Sequence, residues 1–245
     1  MKISVCMATF NGEKFIKEQV QSIIKQLSDA DEIIISDDGS TDETINIISA
    51  FSDPRIRLVH NGSSPSTPAK QSRSYQVTKN FENALRYATG DYIFLSDQDD
   101  VWEADKVESC LLLMKNKKSN LIVHDATVVD ESDAVIGPSY FEIVNSQKGF
   151  FRNIIKNAYL GCCMVFDRSI LLKSLPFPKD LIAHDMWIGL MAEKNGKVSF
   201  VENKYIRYKR HNGAVSASGM KSDNSLNFKI SYRAEFIFQY LKSFV

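Results

Sequence analysis

The first hundred residues alternate short apolar runs with longer amphipathic segments, and this alternation limits the possible fold more than any other feature of the sequence. An uninterrupted apolar run of about four to eight residues is typical of a strand buried on both faces, as in a parallel sheet. The segments between these runs have apolar residues at helical spacing, for example Ile16, Val20 and Ile23. The pattern predicts strands over residues 3–8, 32–36, 55–59 and 91–96, and helices over residues 15–27, 41–51 and 78–88.

Strands that alternate with helices predict an α/β protein with a doubly wound, mostly parallel central sheet flanked by helices. The second half of the chain is less regular. There we expect strands over 121–124, 126–136, 160–166, 198–201 and 205–208, and a helix over 183–193. The whole is interpreted as a single domain over residues 1–220, with halves at 1–105 and 106–220, followed by an amphipathic helix within residues 221–245.

The composition excludes several classes of protein. Thirty Lys+Arg balance thirty Asp+Glu, which argues against a protein that binds nucleic acid with its whole surface. The longest apolar runs have about eight residues, whereas a spanning helix needs about 20. The chain starts without a signal-peptide pattern, and its four cysteines form no CxxC pair, which favours reduced thiols. We therefore expect a cytoplasmic protein, peripheral at most on the inner face of the cell membrane, with no nucleic-acid partner.

Polar clusters follow three of the predicted strands. Doubly wound sheets bind ligands outside the carboxyl ends of their strands, so these clusters are expected to meet in one place. A single acidic turn is usually a solvated loop or a helix cap, but two at the ends of strands in one sheet favour a binding site. The clusters are Thr9-Phe10-Asn11, Asp37-Asp38-Gly39-Ser40 and Asp97-Gln98-Asp99-Asp100.

The last cluster has the chemistry of a metal site. Asp97 and Asp99 are closely spaced hard carboxylates, which suit Mg²⁺ or Mn²⁺ and leave coordination positions for phosphates of a substrate. In the alternative interpretation, Asp99 or Asp100 caps a helix that includes residues 102–114. The motifs GxxxxGK[ST] and GxGxxG are absent, which argues against a P-loop NTPase and a Rossmann dehydrogenase. A nucleoside diphosphate held through a carboxylate-bound metal is what these observations favour.

Three segments, in this order and at this spacing, resemble the family 2 glycosyltransferases. They are residues 5–12 (VCMATFNG), 36–42 (SDDGSTD) and 91–102 (DYIFLSDQDDVW), and Asn80-Phe81 lies where the family has a similar pair. The resemblance is strong to about residue 105 and thinner to about residue 215. It implies a GT-A-like fold, a nucleotide-sugar donor bound by residues 1–105, an acceptor site shaped by residues 106–220, Mn²⁺ or Mg²⁺, and inversion at the anomeric carbon. The Asp-Gln-Asp-Asp-x-Trp form is most similar to rhamnosyltransferase-type and related hexosyltransferases that build bacterial surface polysaccharides.

The resemblance also implies roles for individual residues. Asp38 would accept a hydrogen bond from a pyrimidine N–H, Asp97 would contact the ribose or sugar of the donor, and Asp99 would ligate the metal. Asp37 would support the same pocket. The full set of expected donor-binding residues is Thr9, Phe10, Asn11, Asp37, Asp38, Asn80 and Asp97.

Two further residues follow from the resemblance. The family places an acidic pair, commonly Glu-Asp, at the start of a helix after a glycine-containing strand, and His184-Asp185 occupies that position here. Asp185 would be the general base, a role worth roughly 10²- to 10⁴-fold in rate, unless it only N-caps the helix. His184 departs from the family's usual acid. The basic segment 207–216 is similar to the family's Tyr-Arg-x-His, which makes His211 a metal ligand or phosphate contact, although a lone histidine in a basic loop is more often exposed or structural.

These interpretations predict an inverting glycosyltransferase. It would move a hexose or deoxyhexose from a UDP- or dTDP-sugar to a hydroxyl of a growing, lipid-linked surface glycan. The alternatives are a catalytically silent nucleotide-sugar-binding partner subunit and a nucleotidyltransferase, which would need a glycine-rich basic loop after the first strand. Phe228, Tyr232, Phe236 and Tyr240 form a stripe on the C-terminal helix. The stripe predicts packing on the domain, self-association through a partner helix, or contact with a membrane interface.

Overall fold

A computed structural model describes residues 1–62, 72–145, 149–211 and 226–243. The strands are β1 Ile3–Thr9, β2 Glu32–Asp37, β3 Ile56–His60, β4 Tyr92–Ser96, β5 Val101–Trp102, β6 Leu121–Val129, β7 Val135–Gly137, β8 Met164–Asp167 and β9 Val198–Lys209. The helices are α1 Ile16–Ile24, α2 Thr44–Ser49, α3 Arg73–Tyr87, α4 Lys106–Lys117, α5 Tyr140–Val144, α6 Phe150–Ile155, α7 Arg168–Ser174, α8 His184–Asn195 and α9 Leu226–Lys242. A single 3-10 turn, Gly161–Cys163, precedes β8.

All the strands belong to one mixed sheet, in the order β3-β2-β1-β4-β8-β6-β9-β5, with β7 paired to β6. Strands β3, β2, β1 and β4 are parallel neighbours, and β6 is parallel to β9. Strand β8 runs antiparallel to both β4 and β6 and joins the two halves. The predicted α/β architecture is confirmed. The chain passes from β1 to β2 and β3 on one side of β1, and then crosses to β4 on the other side. Such a reversal opens a crevice at the carboxyl ends of the two strands.

The apolar runs are buried because helices cover the sheet. Val5 of β1, Ile34 of β2 and Phe94 of β4 have no exposed surface. Helix α1 turns Ile16, Val20 and Ile23 into the same core and leaves its charged side outside. A strand with apolar residues on both faces is stable only between two such layers, which is why alternation along the chain predicted this half of the fold.

The first half differs from prediction at two helix starts. Helix α3 begins at Arg73, five residues earlier than expected, because the Ser72 side chain accepts a hydrogen bond from the Tyr75 amide at 3.3 Å and caps it. Helix α4 begins at Lys106 rather than at Trp102, since Val101 and Trp102 pair with β9. The interpretation of Asp99 or Asp100 as its cap is therefore wrong.

The second half is more continuous, and richer in short helices, than the sequence indicates. The two strands expected over 198–201 and 205–208 are one strand, β9, which keeps its pairing with β6 through two irregularities in register. Strand β6 likewise runs unbroken through residues 121–129. Residues 161–163 form a 3-10 turn instead of the start of a strand, and α5, α6 and α7, each of at most seven residues, were not predicted.

The C-terminal helix packs on the domain. Phe236 and Tyr240 are buried, and the Phe236 ring meets Trp187 of α8 edge-on with ring centroids 5.9 Å apart. On the other side, Phe238 and Leu241 are 59% and 58% exposed. Residues 221–225 and 244–245 of the expected segment lie outside the described ranges. Within those ranges, no helix has the length and apolar character needed to span a membrane.

Candidate active site

A cleft of about 1010 Å³ opens at the carboxyl edge of the sheet, where β1 and β4 diverge. The loops after β1 and β4 form its floor, and α3 and the start of α8 form its walls. Most of the predicted site residues line it: Thr9, Phe10, Asn11, Asp38, Asn80, Asp97, Asp99, Asp185 and His211. The tertiary structure thus brings together segments that are up to about two hundred positions apart in the chain.

Hydrogen bonds from two directions hold the loop after β1. The Asn80 side chain donates from α3 to the Thr9 carbonyl at 3.0 Å, and Asn11 accepts from the Thr41 amide at 2.9 Å. Asn11 has a positive φ of 47°, a conformation that asparagine tolerates better than most residues. Phe10 follows β1 with its side chain 53% exposed, which leaves an aromatic surface at the mouth of the cleft.

Asp37 and Asp38 have different environments although they are adjacent. Asp37 is 1% exposed and accepts hydrogen bonds from the amides of Gly39 and Ser40, both at 2.8 Å. It stabilises the turn and, unlike Asp38, does not line the cleft. The Asp38 carboxylate lines the cleft and accepts a hydrogen bond from the Asn61 side chain at 2.9 Å. Asp37 supports the pocket from behind, and Asp38 is the acid that a ligand can reach.

Asp99 and His211 come together although 112 positions separate them. The His211 Nε2 atom lies 2.9 Å from the Asp99 carboxylate, and this hydrogen bond raises the pKa of His211. The Phe15 ring flanks the imidazole with centroids 4.7 Å apart. One carboxylate and one imidazole, both facing the cleft, form a donor set that suits Mn²⁺ and also tolerates Mg²⁺. The residues present therefore fit a divalent cation.

A second cluster of side chains in this region is less suitable for a divalent cation than Asp99 and His211. The ligand atoms of Asp97, Asp100 and Cys162 lie within 4.8 Å of one another. Burial raises the pKa of the Cys162 thiol well above its ordinary value, so the sulfur stays protonated. A protonated, soft ligand does not suit a hard cation. Asp100 is 1% exposed and accepts a hydrogen bond from the Lys209 amide at 3.1 Å, which makes it a structural acid.

The pKa of Asp97, on the cleft floor, lies above its ordinary value. Burial, and then the negative charges of Asp99 and Asp185, raise the pKa of Asp97. Beneath them lies Lys106, a fully buried lysine that the sequence analysis missed. Its ammonium donates to the Cys162 carbonyl at 2.7 Å and lies 4.2 Å from the centre of the Trp102 ring. The only signal in the sequence was a lysine at the start of a helix near an acidic cluster, which is common on surfaces.

Asp185 is the second residue of α8 and projects into the cleft. Ala183 occupies the N-cap position, so the interpretation of Asp185 as a simple cap is wrong. One carboxylate oxygen accepts from the Met186 amide at 2.6 Å, and the other accepts from the Asn157 side chain at 3.3 Å. Burial raises the pKa of Asp185 to about 6. The group is therefore mostly ionised at pH 7.5, yet much more basic than an ordinary aspartate.

His184 lies beside Asp185 as a neutral ring. It stacks on Phe81 with centroids 4.1 Å apart, and burial lowers its pKa to about 3. Its Nε2 atom is buried without a hydrogen-bond partner among the described residues. The family has an acid at the position of His184, whereas the neutral His184 ring carries no charge there. Asp185 therefore has no ionised neighbour within its own helical turn.

Comparisons with known proteins show which family the chain matches. The family model described as Glycosyl transferase family 2 matches residues 4–175. An Escherichia coli relative, UDP-Glc:alpha-D-GlcNAc-diphosphoundecaprenol beta-1,3-glucosyltransferase WfgD, is 27% identical over 221 residues, which cover 89% of this chain and 81% of the relative. The dTDP-rhamnosyl transferase RfbG of Shigella flexneri is 29% identical over an alignment 250 residues long, which covers 93% of this chain and 77% of RfbG.

Solved structures show the same fold. Staphylococcus aureus TarS 1–349 in complex with UDP-GlcNAc superposes with a TM-score of 0.67 at 21% identity, over 97% of this chain and 72% of TarS 1–349. Glucosyl-3-phosphoglycerate synthase from Mycobacterium tuberculosis, in complex with Mn²⁺, UDP and phosphoglyceric acid, superposes with a TM-score of 0.56 at 17% identity, over 99% of this chain and 78% of that one. The predicted GT-A-like fold is confirmed.

The pKa of Asp185 generates a stability prediction. Since folding raises this pKa from 3.8 to about 6, the ionised carboxylate destabilises the folded state above pH 6, by about 1–3 kcal/mol. Asp185→Asn should therefore raise the melting temperature by a few degrees at pH 8, and the gain should shrink as the pH falls from 6 to 4. Differential scanning calorimetry across this range measures it.

Asp130→Asn is the control, because hydrogen bonds from Ser132 lower the pKa of Asp130. That variant should gain no stability at pH 8. A melting temperature for Asp185→Asn at or below that of the wild type at pH 8 would show that the Asp185 carboxylate is not destabilised by burial.

Proposed function

The chain belongs to glycosyl transferase family 2 and is a glycosyltransferase, and on this premise we propose a specific reaction. It transfers a hexose or deoxyhexose from a UDP- or dTDP-sugar to a hydroxyl of a growing surface glycan, with inversion at the anomeric carbon. The observation that carries the proposal is the single cleft into which Asp38, the Asp99–His211 pair and Asp185 all project. The names of WfgD and RfbG, one with a UDP-sugar and one with a dTDP-sugar, support this range of donors.

The loops after β1 and β2 hold the nucleoside. The exposed Phe10 ring offers a surface for the base, and Asp38 accepts a hydrogen bond from the pyrimidine N–H. Thr9 and Asn11 shape the backbone around it, since their own hydrogen bonds to Asn80 and Thr41 fix that loop. Asp97, at the end of β4, faces the ribose or the transferred sugar. An acidic acceptor favours uracil and thymine alike, which is why the proposal keeps both nucleotides.

Asp99 and His211 would hold Mn²⁺ or Mg²⁺. When bound, the cation supplies positive charge to the nucleoside diphosphate leaving group. Their 2.9 Å hydrogen bond holds the Asp99 and His211 side chains together. The pair is therefore preorganised at the cleft floor, with Phe15 limiting the orientation of the imidazole.

Asp185 acts as the general base. The acceptor hydroxyl oxygen attacks the anomeric carbon from the face opposite the leaving group, and the bond from that carbon to the diphosphate oxygen breaks. The hydroxyl proton passes to the Asp185 carboxylate, whose raised pKa makes it a stronger base than an ordinary aspartate. The hydrogen bonds from Met186 and Asn157 orient that carboxylate toward the cleft.

We further propose a lipid-linked acceptor that reaches the site at a membrane surface. Helix α9 lies directly on α8, which carries Asp185, and the Tyr232 hydroxyl lies 3.8 Å from the Met186 sulfur. The outer side of α9 exposes Phe238 and Leu241, with Lys242 adjacent. Apolar residues next to a basic one are typical of helices that lie in a membrane interface. Contact through this side would place the acceptor close to the base.

The first prediction from the proposed reaction concerns nucleotide binding. In a thermal-shift titration with UDP, dTDP, GDP and CMP, only UDP or dTDP should raise the melting temperature, and Mn²⁺ should increase the rise. At about 100 times Kd the stabilisation is about 2.7 kcal/mol, or several degrees. Asp99→Asn should lose the Mn²⁺-dependent part, whereas the exposed Asp29→Asn should retain it. No shift with any nucleotide would contradict the proposed function.

The second prediction concerns Asp185 as the general base. Asp185→Asn should bind UDP or dTDP as tightly as the wild type but transfer sugar at least 100-fold more slowly, because the acceptor proton has no carboxylate to receive it. Wild-type turnover should also fall as the pH drops below about 6, where Asp185 becomes protonated. Turnover is measured as nucleoside diphosphate release. Unchanged release in the variant would rule out Asp185 as base, and no release from the wild type with any acceptor would favour the silent-subunit alternative.

The third prediction concerns α9. The double variant Phe238→Ser and Leu241→Ser should sediment with anionic lipid vesicles several-fold less than the wild type, since two apolar contacts are removed. Leu112→Ser on α4 is the control, because Leu112 is 56% exposed on another element. Equal sedimentation of all three proteins would refute the membrane contact, and sedimentation of the wild type without vesicles would point to self-association instead.

A further inference from the structure

We propose that Gln98 is a positioning residue that couples nucleotide binding to cation binding, an inference that rests on the proposed function. We call residues 9–12, the last residue of β1 and the three that follow it, the nucleoside loop, and residues 97–100, after β4, the metal loop. Gln98 belongs to the metal loop by sequence, but its side chain bonds to the nucleoside loop.

The two loops separate where the parallel pairing of their strands stops. The last paired residues of β1 and β4 are Met7 and Ser96. Beyond them the strands diverge and open the cleft. The Phe10 amide and carbonyl therefore form no hydrogen bonds with the β4 backbone. Phe10 is 53% exposed, so its backbone amide and carbonyl are free to bond to a side chain that reaches them from the metal loop.

The Gln98 side chain forms these bonds. Its Oε1 atom accepts from the Phe10 amide at 2.9 Å and from the Thr9 hydroxyl at 2.6 Å. Its Nε2 atom donates to the Phe10 carbonyl at 3.1 Å. A primary amide presents an acceptor and a donor side by side, as a peptide group does. Gln98 therefore bonds to both the amide and the carbonyl of Phe10. These bonds connect the chain after β4 to the chain after β1 beyond the point where backbone pairing stops.

The geometry favours glutamine at this position. A glutamate could accept from Thr9 and Phe10 but could not donate to the Phe10 carbonyl, and an asparagine is one methylene shorter. Space on the opposite side is also limited, because a Cβ atom on Gly12 would lie 2.5 Å from the Gln98 Oε1 atom. The amide therefore fills the gap between the two loops with little freedom to shift.

Gln98 therefore connects Phe10, the proposed surface for the nucleobase, to the loop that contains the proposed cation ligand Asp99. Gln98 is flanked in the chain by Asp97 and Asp99, so a displacement of the metal loop moves the amide that holds Phe10. The reverse also holds, because the coupling between two binding equilibria is reciprocal. Nucleotide and cation should each tighten the binding of the other through Gln98, in addition to any direct contact between them.

Gln98→Met tests the inference, since methionine has similar length and makes none of the three hydrogen bonds. We expect UDP or dTDP, whichever the wild type binds, to bind at least 10-fold more weakly without metal. Binding of Mn²⁺ to the nucleotide-free protein should change less than twofold. Mn²⁺ should still tighten nucleotide binding, but by a smaller factor than in the wild type. The remaining factor is that of direct contact between the cation and the diphosphate. Titration calorimetry measures all three quantities, and hydrogen exchange at the Phe10 amide should become faster.

Matched substitutions at Gln21 are the control. Gln21 lies on α1, is exposed and does not line the cleft. Gln21→Met and Gln21→Glu make the same chemical changes away from the loop contact and should leave nucleotide binding within twofold. Gln98→Glu is the second variant in case Gln98→Met does not fold. It keeps the accepted bonds, so Phe10 exchange should stay near that of the wild type, while nucleotide binding without metal should weaken relative to Gln21→Glu.

The outcomes separate this inference from the proposed function. If the wild type binds no nucleotide, the proposed function and the role of Gln98 fall together. If the wild type binds and Gln98→Met binds within twofold, with unchanged coupling to Mn²⁺, the inference alone is wrong. A merely structural role would lower the melting temperature of Gln98→Met and leave both the nucleotide affinity and its Mn²⁺ dependence as in the wild type.

Discussion

The divergence of β1 and β4 after Met7 and Ser96 is the constraint on which the site depends. Up to that point the two parallel strands share a ladder, and beyond it their loops separate and leave a cleft between α3 and α8. The chain crosses from β1 to β2 on one side and reaches β4 on the other, so no crossover covers the gap. Two polar side chains then hold the end of β1. Asn80 of α3 donates to the Thr9 carbonyl, and Gln98 of the loop after β4 bonds to the Phe10 amide and carbonyl.

Charge shapes the cleft as strongly as topology does. Asp97, Asp99, Asp100 and Asp185 lie near one another in a partly buried space. Burial and the charges of neighbouring carboxylates raise the pKa values of Asp97 and Asp100, and burial alone raises the pKa of Asp185. Two cationic or protonatable groups oppose this: His211 beside Asp99, and the buried Lys106, whose charge lowers the pKa of Asp97. The excess of carboxylates suits a divalent cation, and burial keeps Asp185 basic. The same carboxylates that suit the site for binding and catalysis therefore lower the stability of the fold around it.

Prediction succeeded where a local pattern has one physical outcome. Apolar runs between amphipathic segments required a layered sheet, and the acidic turns that follow those runs had to meet at one edge. It failed where distant pairing decided the structure. Trp102 looked helical but pairs with Ile206 of β9, which delays α4 to Lys106. The break expected inside β9 is absent because β6 pairs along its length. Asp37 and Asp38 are acids in one turn, and only the family resemblance gave them different expected roles. The structure supplies the physical difference, because Asp37 turns inward to the amides of Gly39 and Ser40.

The sequence by itself determined the α/β class, the parallel half of the sheet and the family, because hydrophobic periodicity and three short motifs are local properties of the chain. Only the tertiary structure decided which polar groups share a space. It placed His211 against Asp99, put Lys106 under the acidic floor, and made the Gln98 side chain a partner of Phe10 rather than a spacer between two aspartates. The physical reason is that burial and hydrogen bonding depend on neighbours brought together by the long-range packing of β8, β6 and β9 against β4. No pattern within a few residues of sequence contains that information.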